Sequence, residues 1–338
     1  MITISICMIV KNEEDVLERC LDSLDGIAEE LIIVDTGSSD NTKAIAAKYT
    51  DQIYDFKWID DFAAARNYSF SKATMDYIYC PDADEVLDEE NRKKFFALKK
   101  TLLPEIEIVQ MFYEGQLNHG TVYNYDKELR PKLFKRLRTF RWINPIHESV
   151  DLNPLVYDSD IVISHRPLSL HANRDIDIFE KMIRRGQRLS SKLRTFYAKE
   201  LLLYGNESNF ENAIPVYKEI WESSESSLDD KSEALIILCA SARRTNNISD
   251  FFKYTLKASG LNLEISEIYC ELGAYYETIG DYNEAHLWYY NAAFTSSAEL
   301  IVSYKDHLPL KGLIRCCTKL GHENLAEEYN AELKRRAN

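Results

Sequence analysis

Residues 2–10 form a short, nearly unbroken apolar run rich in β-branched side chains, the pattern of a strand buried on both faces. From residue 13 to 24 the period changes. Val16, Leu17, Cys20, Leu21 and Leu24 fall on one helical face. A second buried strand over 31–34 runs into Asp35-Thr36-Gly37-Ser38-Ser39-Asp40, a turn-and-cap cluster, before a helix over 42–48. A third strand is predicted over 52–56, a helix over 62–73, and a fourth strand over 77–80 that ends at Pro81-Asp82-Ala83-Asp84-Glu85. Strands alternating with helices predict an α/β domain with parallel strands, in which ligands bind beyond the carboxyl ends of the strands. Asp35 and the Asp82–Glu85 cluster sit at such ends. Shorter strands follow over 108–113, 123–126, 131–135 and 161–164, and helical spacing then takes over.

The helical part is repetitive. Tyr269, Leu272, Gly273, Tyr276, Gly280, Tyr282, Ala285, Tyr289 and Ala292 follow tetratricopeptide spacing. An earlier copy uses Tyr197, Tyr204, Phe210, Ala213 and Tyr217, and a later one Leu310, Leu313, Cys317, Gly321 and Ala326. Residues 231–259 are helical but degenerate. Such helix pairs cannot bury their apolar faces alone and are expected to stack. The expected domains are residues 1–190 and 191–338, with the boundary in the window 170–195.

Composition narrows the function. With 338 residues the chain exceeds the usual limit of a single core. Its formal charge of -14 disfavours nucleic acid and anionic membranes as partners, so an anionic substrate needs a local basic pocket or a bound cation. The seven cysteines show no paired C-x-x-C spacing, which predicts reduced thiols and a cytoplasmic location. The N-terminus lacks a basic segment ahead of its apolar run, and no run of about 18 apolar residues exists. Neither a signal peptide nor a transmembrane segment is expected.

The chemistry begins at Asp82-x-Asp84. Two carboxylates one residue apart on a tight turn can meet one divalent cation, and Mg2+ or Mn2+ suits oxygen ligands and substrate phosphates. Alone, the motif is common on solvated turns. Its context is not common. Ser5-Ile6-Cys7-Met8-Ile9-Val10-Lys11-Asn12-Glu13-Glu14, Ile32-Ile33-Val34-Asp35-Thr36-Gly37-Ser38-Ser39-Asp40, Asp61-Phe62-Ala63-Ala64-Ala65-Arg66-Asn67 and Pro81-Asp82-Ala83-Asp84-Glu85 occur in this order. In these segments the chain resembles glycosyltransferase family 2, in the subgroup with C-terminal tetratricopeptide repeats that includes bacteriocin peptide glycosyltransferases. The resemblance implies a GT-A domain followed by a helical repeat domain.

It also implies roles. Val10 and Glu13 would line the nucleoside pocket, and Asp35 would accept a hydrogen bond from base or ribose. Arg66 would meet the diphosphate, which suits its bidentate guanidinium. Asp82 would face ribose or metal, and Asp84 is the best metal ligand. Trp142-Ile143-Asn144-Pro145-Ile146-His147-Glu148 resembles the acceptor-side segment, which makes Glu148 the candidate base and His147 its rival or an acceptor-orienting group. His165 matches a position that supplies a histidine to metal or pyrophosphate, although Arg166-Pro167-Leu168 departs from the family pattern there. Arg130 and Lys132 read equally as phosphate binders or as a solvated basic strand.

The expected reaction is an inverting transfer of a sugar from a nucleoside-diphosphate sugar, a UDP-hexose, to a peptide or protein Ser, Thr or Cys side chain. Glycan and lipid-linked acceptors are the alternatives, and the repeats would recognise the acceptor or join a homodimer. A nucleotidyltransferase would place a Gly-rich loop where this chain has Val10-Lys11-Asn12-Glu13. A non-catalytic repeat scaffold would have no need of the acidic turn.

Overall fold

The computed structural model describes residues 1–115, 127–150, 154–168 and 172–336. The strand expected over 123–126 lies outside the described residues. The chain forms two compact units, Met1–His171 and Ala172–Asn338.

The first unit is built on an eight-stranded mixed sheet. Its strands are β1 (Ile4–Val10), β2 (Glu30–Asp35), β3 (Ile53–Asp55), β4 (Tyr77–Tyr79), β5 (Glu85–Val86), β6 (Ile108–Glu114), β7 (Lys127–Lys135) and β10 (Val156–His165). The order is β3-β2-β1-β4-β7-β6-β10-β5. The half formed by β3, β2, β1 and β4 is parallel, whereas β7 runs antiparallel to both its neighbours. A separate ribbon pairs β8 (Trp142–Ile143) with β9 (Ser149–Val150).

Alternation along β1 serves two cores. Ile4, Ile6, Met8 and Val10 join one cluster, which includes α1 (Leu17–Ser23) and α4 (Glu89–Thr101) through Leu17, Phe95 and Leu98. Cys7 faces the other cluster, with Ile32 and Val34, against which Tyr68 and Phe70 of α3 (Phe62–Phe70) pack. Between them, α2 (Thr42–Ala46) follows the β2 turn.

Two helices of this unit differ most from expectation. The helix predicted over 13–24 begins at Leu17, and backbone N–H groups ahead of it are tied to side chains of the segment after β2. Asn12, Glu13 and Glu14 donate to Ser38 Oγ (2.9 Å), Thr42 Oγ1 (2.7 Å) and Asp40 Oδ2 (3.2 Å). Helix α4 is not predicted by the hydrophobic pattern. Its sequence is mostly polar, and an N-cap starts it: the Asp88 side chain accepts from Asn91 N–H.

The second unit is helical: α5 (Ala172–Arg184), α6 (Ser191–Tyr204), α7 (Glu207–Glu222), α8 (Leu228–Arg244), α9 (Ile248–Gly260), α10 (Ser266–Thr278), α11 (Tyr282–Phe294), α12 (Ser303–Asp306), α13 (Leu308–Leu320) and α14 (Glu323–Arg336). Helix α5, within the stretch assigned to the first domain by sequence, packs on α6 in the second unit. The degenerate stretch 231–259 forms most of the pair α8 and α9. Tyr289 shows why small residues recur. A Cβ placed on Gly273 or on Gly312 would lie 2.7 or 2.6 Å from its ring, so α10 and α13 close on α11 only as glycine-bearing helices. All seven cysteines are buried free thiols, and no described helix is long and apolar enough to cross a membrane.

Candidate active site

Parallel pairing brings Val10 and Asp35 into register at the carboxyl ends of β1 and β2. The Val10 carbonyl accepts from Thr36 N–H at 2.9 Å and from its hydroxyl at 3.1 Å. Asp35 is buried. Its Oδ1 accepts from Gly37 N–H (2.9 Å) and Ser38 N–H (3.0 Å), which fixes the carboxylate, while Oδ2 has no partner among the described residues. Glu13 sits on the neighbouring loop, half-buried, with its N–H on Thr42.

The acidic turn follows β4. Arg66, on α3, reaches it from the other side of the strand end. Its Nη2 donates to Asp82 Oδ1 at 2.9 Å, its Nε to Glu148 Oε1 at 2.6 Å, and its Nη1 to Cys80 Sγ at 2.9 Å. The guanidinium lies 5.3 Å from the centre of the Trp142 ring, a cation–π contact. Lys132, from β7, approaches Asp82 Oδ2 at 3.6 Å and bonds to Glu85 Oε1. Burial pushes the Asp82 carboxyl up, but Lys132 and Arg66 outweigh it and hold the group far below the usual carboxylate range. Burial pushes Glu85 up against the pull of Lys132. Burial also lowers the Lys132 ammonium, and Glu85 and Asp82 together overcome that effect.

Glu148 reaches this network through the β8–β9 ribbon, clasped to α3. Asn67 Nδ2 donates to Trp142 O and Asn67 Oδ1 accepts from Trp142 N–H, both at 2.9 Å; Phe62 N–H donates to Pro145 O at 2.8 Å. The ribbon's turn carries left-handed residues at Asn144 (φ 73°) and His147 (φ 48°).

Asp84 and His165 meet because β5 pairs with β10, placing His165 opposite Glu85. Asp84 Oδ2 lies 3.0 Å from His165 Nε2, and the Asp84 carbonyl accepts from Arg166 N–H at 2.9 Å. Tyr113 packs beside the imidazole, with ring centres 5.1 Å apart. A carboxylate oxygen and an imidazole nitrogen on two tied strands form a donor set that fits Mn2+ or Mg2+. Both oxygens of Asp82, in contrast, face cations.

Three groups therefore emerge among the expected residues: Val10, Glu13 and Asp35 at the first two strand ends, Arg66, Asp82 and Glu148 in one ion-pair network, and Asp84 with His165. His147 precedes Glu148 in the ribbon turn. Sequence reasoning missed Cys80, Glu85 and Trp142 as members of the site. It also left open a solvated reading of Lys132, which the structure corrects: the residue is 5% exposed and paired with two carboxyl groups. The available signal was a lysine inside an apolar strand, since buried lysines are rare unless paired.

An α/β unit with an acidic turn beyond its strand ends, followed in the chain by helical repeats, defines a class, and comparison gives the family. Residues 5–153 match the model described as Glycosyl transferase family 2, and the first unit is a glycosyltransferase domain of that family. The glycosyltransferase SunS of Bacillus subtilis is 28% identical over 269 residues, covering 75% of this chain and 61% of that protein. A TPR repeat-containing protein of Synechococcus elongatus is 36% identical over 151 residues, covering 45% of this chain and 36% of that protein. The chain thus spans less than two thirds of the length of these relatives. Among solved structures, a glucosyl-3-phosphoglycerate synthase from Mycobacterium tuberculosis, complexed with Mn2+, UDP and phosphoglyceric acid, aligns at TM-score 0.42 and 18% identity. That alignment covers 56% of this chain and 80% of the other.

Proposed function

We propose that the protein transfers a hexose from a UDP-sugar, with inversion, to a Ser, Thr or Cys side chain of a peptide or protein. The observation that carries this reading is the convergence of the acidic turn, the Asp84–His165 pair and the Arg66–Glu148 pair at the carboxyl ends of the family 2 domain's strands. Asp35 presents a fixed carboxylate with one oxygen that has no partner among the described residues, suited to a nucleoside hydroxyl or ring N–H. Asp84 and His165 would hold Mn2+ or Mg2+, which when bound neutralises charge on the departing diphosphate. Arg66 aims Glu148, whose carboxylate accepts the acceptor's proton as its oxygen or sulfur attacks the anomeric carbon. His147, next in the turn, orients the acceptor. Tetratricopeptide grooves suit extended polypeptide, and the subgroup the sequence resembles includes peptide glycosyltransferases; both support the acceptor assignment.

The test is release of UDP from UDP-glucose in Mn2+, with and without EDTA, for wild type and Asp84→Asn. The variant keeps size and loses charge, so turnover should fall at least about 100-fold in a folded protein. Near-wild-type turnover in Mn2+ removes Asp84 from the site. Intact-mass analysis of candidate peptides then decides the acceptor: a hexose adduct supports the reading, and transfer to glycans or lipid-linked sugars alone rejects it. Size-exclusion mass of the full chain tests whether the repeats also form a homodimer.

A further inference from the structure

We propose that Asn67 is a positioning residue: its side-chain amide locks the β8–β9 ribbon onto α3 and so holds Glu148 against the Arg66 guanidinium. Its value to catalysis rests on the proposed role of Glu148 as the base.

The ribbon cannot fix that carboxylate by itself. Each of its strands is two residues long, with the pairings Trp142–Val150 and Ile143–Ser149. An isolated hairpin is marginally stable at best in water. The turn between the strands, residues 144–148, is strained: Asn144 and His147 both sit at positive φ, 73° and 48°. Residues with a Cβ persist there where their surroundings over-determine the backbone. An element outside the ribbon must therefore impose its shape.

That element is α3. Phe62, in the first turn, where helix N–H groups lack intrahelical acceptors, donates to Pro145 O at 2.8 Å. Asn67 Nδ2 donates to Trp142 O and its Oδ1 accepts from Trp142 N–H, each at 2.9 Å. The amide presents to Trp142 the donor and acceptor that a neighbouring strand would present, and a carboxylate cannot supply both. The Trp142 ring is held separately, against Phe70 and Phe134 at 5.8 and 5.3 Å between centres. Apolar packing is non-directional, whereas the two hydrogen bonds set the orientation of the backbone. Arg66, beside Asn67 on the same helix, then meets Glu148 Oε1 through Nε at 2.6 Å. Carboxylate and guanidinium are both referenced to one rigid element, the arrangement a preorganised site requires.

The test compares wild type with Asn67→Ala in the full chain. If that variant does not fold, Asn67→Asp replaces it, because it keeps the side chain's shape and the bond from Trp142 N–H but loses the donor to Trp142 O. The first readout is the ¹⁵N–¹H signal of Arg66 Nε, identified by its loss in Arg66→Met, and its rate of exchange with water. Exchange should be about tenfold faster in the variant, as the bond to Glu148 loses alignment. The second readout is a pair of measurements in Mn2+: UDP release from UDP-glucose, and UDP affinity by titration. Turnover should fall about 10- to 100-fold while UDP affinity stays within about twofold. An unchanged Arg66 signal in a folded variant overturns the proposal, because the clasp then serves stability alone. So does a loss of UDP affinity as large as the loss of turnover. Glu148→Gln is the control on the underlying reading. Full turnover in that variant rejects Glu148 as the base, while the Arg66 signal still decides whether Asn67 places it.

Discussion

Replacing Arg66 by methionine keeps most of the side chain's bulk and removes its charge. Two hydrogen-bonded ion pairs disappear, at 2.9 Å to Asp82 and 2.6 Å to Glu148, along with the bond to Cys80 Sγ. Their losses are unequal. The Asp82 side chain is 37% exposed and keeps Lys132 at 3.6 Å, so water and a second cation replace much of what Arg66 gave. The Glu148 side chain is 14% exposed and is left without its cation. Stranding one partner of a buried pair costs roughly 3–5 kcal/mol. With residual exposure we expect the low end, about 3 kcal/mol, which in a unit of this size lowers the melting temperature by roughly 6–12 °C.

Calorimetry of the full chain, which separates the two units if they melt apart, gives the single-variant cost. A double-mutant cycle with Glu148→Gln isolates the pair. Because the amide does not need the guanidinium, the double variant should be more stable than the sum of the single losses by about 1–2 kcal/mol. A cost below about 1 kcal/mol together with additive losses would refute the Arg66–Glu148 pairing on which the site description rests.

Glu148→Gln alone should retain UDP-sugar affinity and lose transfer, measured as binding against turnover; a collapse of affinity instead assigns Glu148 to the donor site. Glu271 is buried between Arg243 and Arg244, which outweigh the opposing effect of burial and hold its carboxyl below the ordinary value of 4.5. Its contribution is therefore present above that value and lost as pH falls through the folded-state value. Glu271→Gln should cost about 3 kcal/mol at pH 7, and urea titrations should show the gap to wild type closing in acid. Gly312→Ala gains about 1 kcal/mol of helix propensity but drives a methyl to 2.6 Å from the Tyr289 ring, an overpacking cost of roughly 1–3 kcal/mol. Adding Gly273→Ala should cost more than the sum in thermal melts, since the two methyls meet opposite edges of that ring.

The strand-end cluster of acids was legible in the sequence because strand ends announce themselves. An apolar run stops at Val10, at Val34 and at Cys80, and the acids that follow must lie at one edge of a parallel sheet. The repeats were legible because Tyr269, Leu272, Gly273, Ala285, Tyr289 and Ala292 fall at tetratricopeptide spacing. What stayed hidden depends on distance in the chain. Glu148 is 82 residues from Arg66, and His165 is 81 from Asp84. Pairing of β5 with β10 is set by two residues on one strand, too short a pattern to read. Lys132 was ambiguous for the same reason, because its partners arrive from β5 and the turn before it. Helix α4 escaped because its buried face includes Asn91 and Lys99, polar residues satisfied by tertiary bonds: Asn91 Oδ1 accepts from Val162 N–H, and Lys99 Nζ donates to Ile27 O.

The charge balance of the site bears on why the proposed reaction needs a cation. Asp82, Asp84, Glu85 and Glu148 gather at or near the acidic turn, and Arg66 and Lys132 are the cations that pair with Asp82, Glu85 and Glu148. Neither cation is idle. Arg66 is divided between Asp82 and Glu148, and Lys132 between Asp82 and Glu85. A diphosphate that takes the Arg66 guanidinium releases carboxylates into the same low-dielectric space, where like charges repel most strongly. It also approaches against the field of a chain with net charge -14. Arg66 is therefore better suited to aiming Glu148 and holding Asp82 than to serving as the main phosphate anchor. Neutralising the diphosphate then falls to a divalent cation that the Asp84–His165 pair would hold. In the proposed enzyme, metal removal should weaken UDP binding itself, not turnover alone, and UDP titrations in Mn2+ and in EDTA would separate the two. Equal UDP affinity in both would return the anchoring role to Arg66.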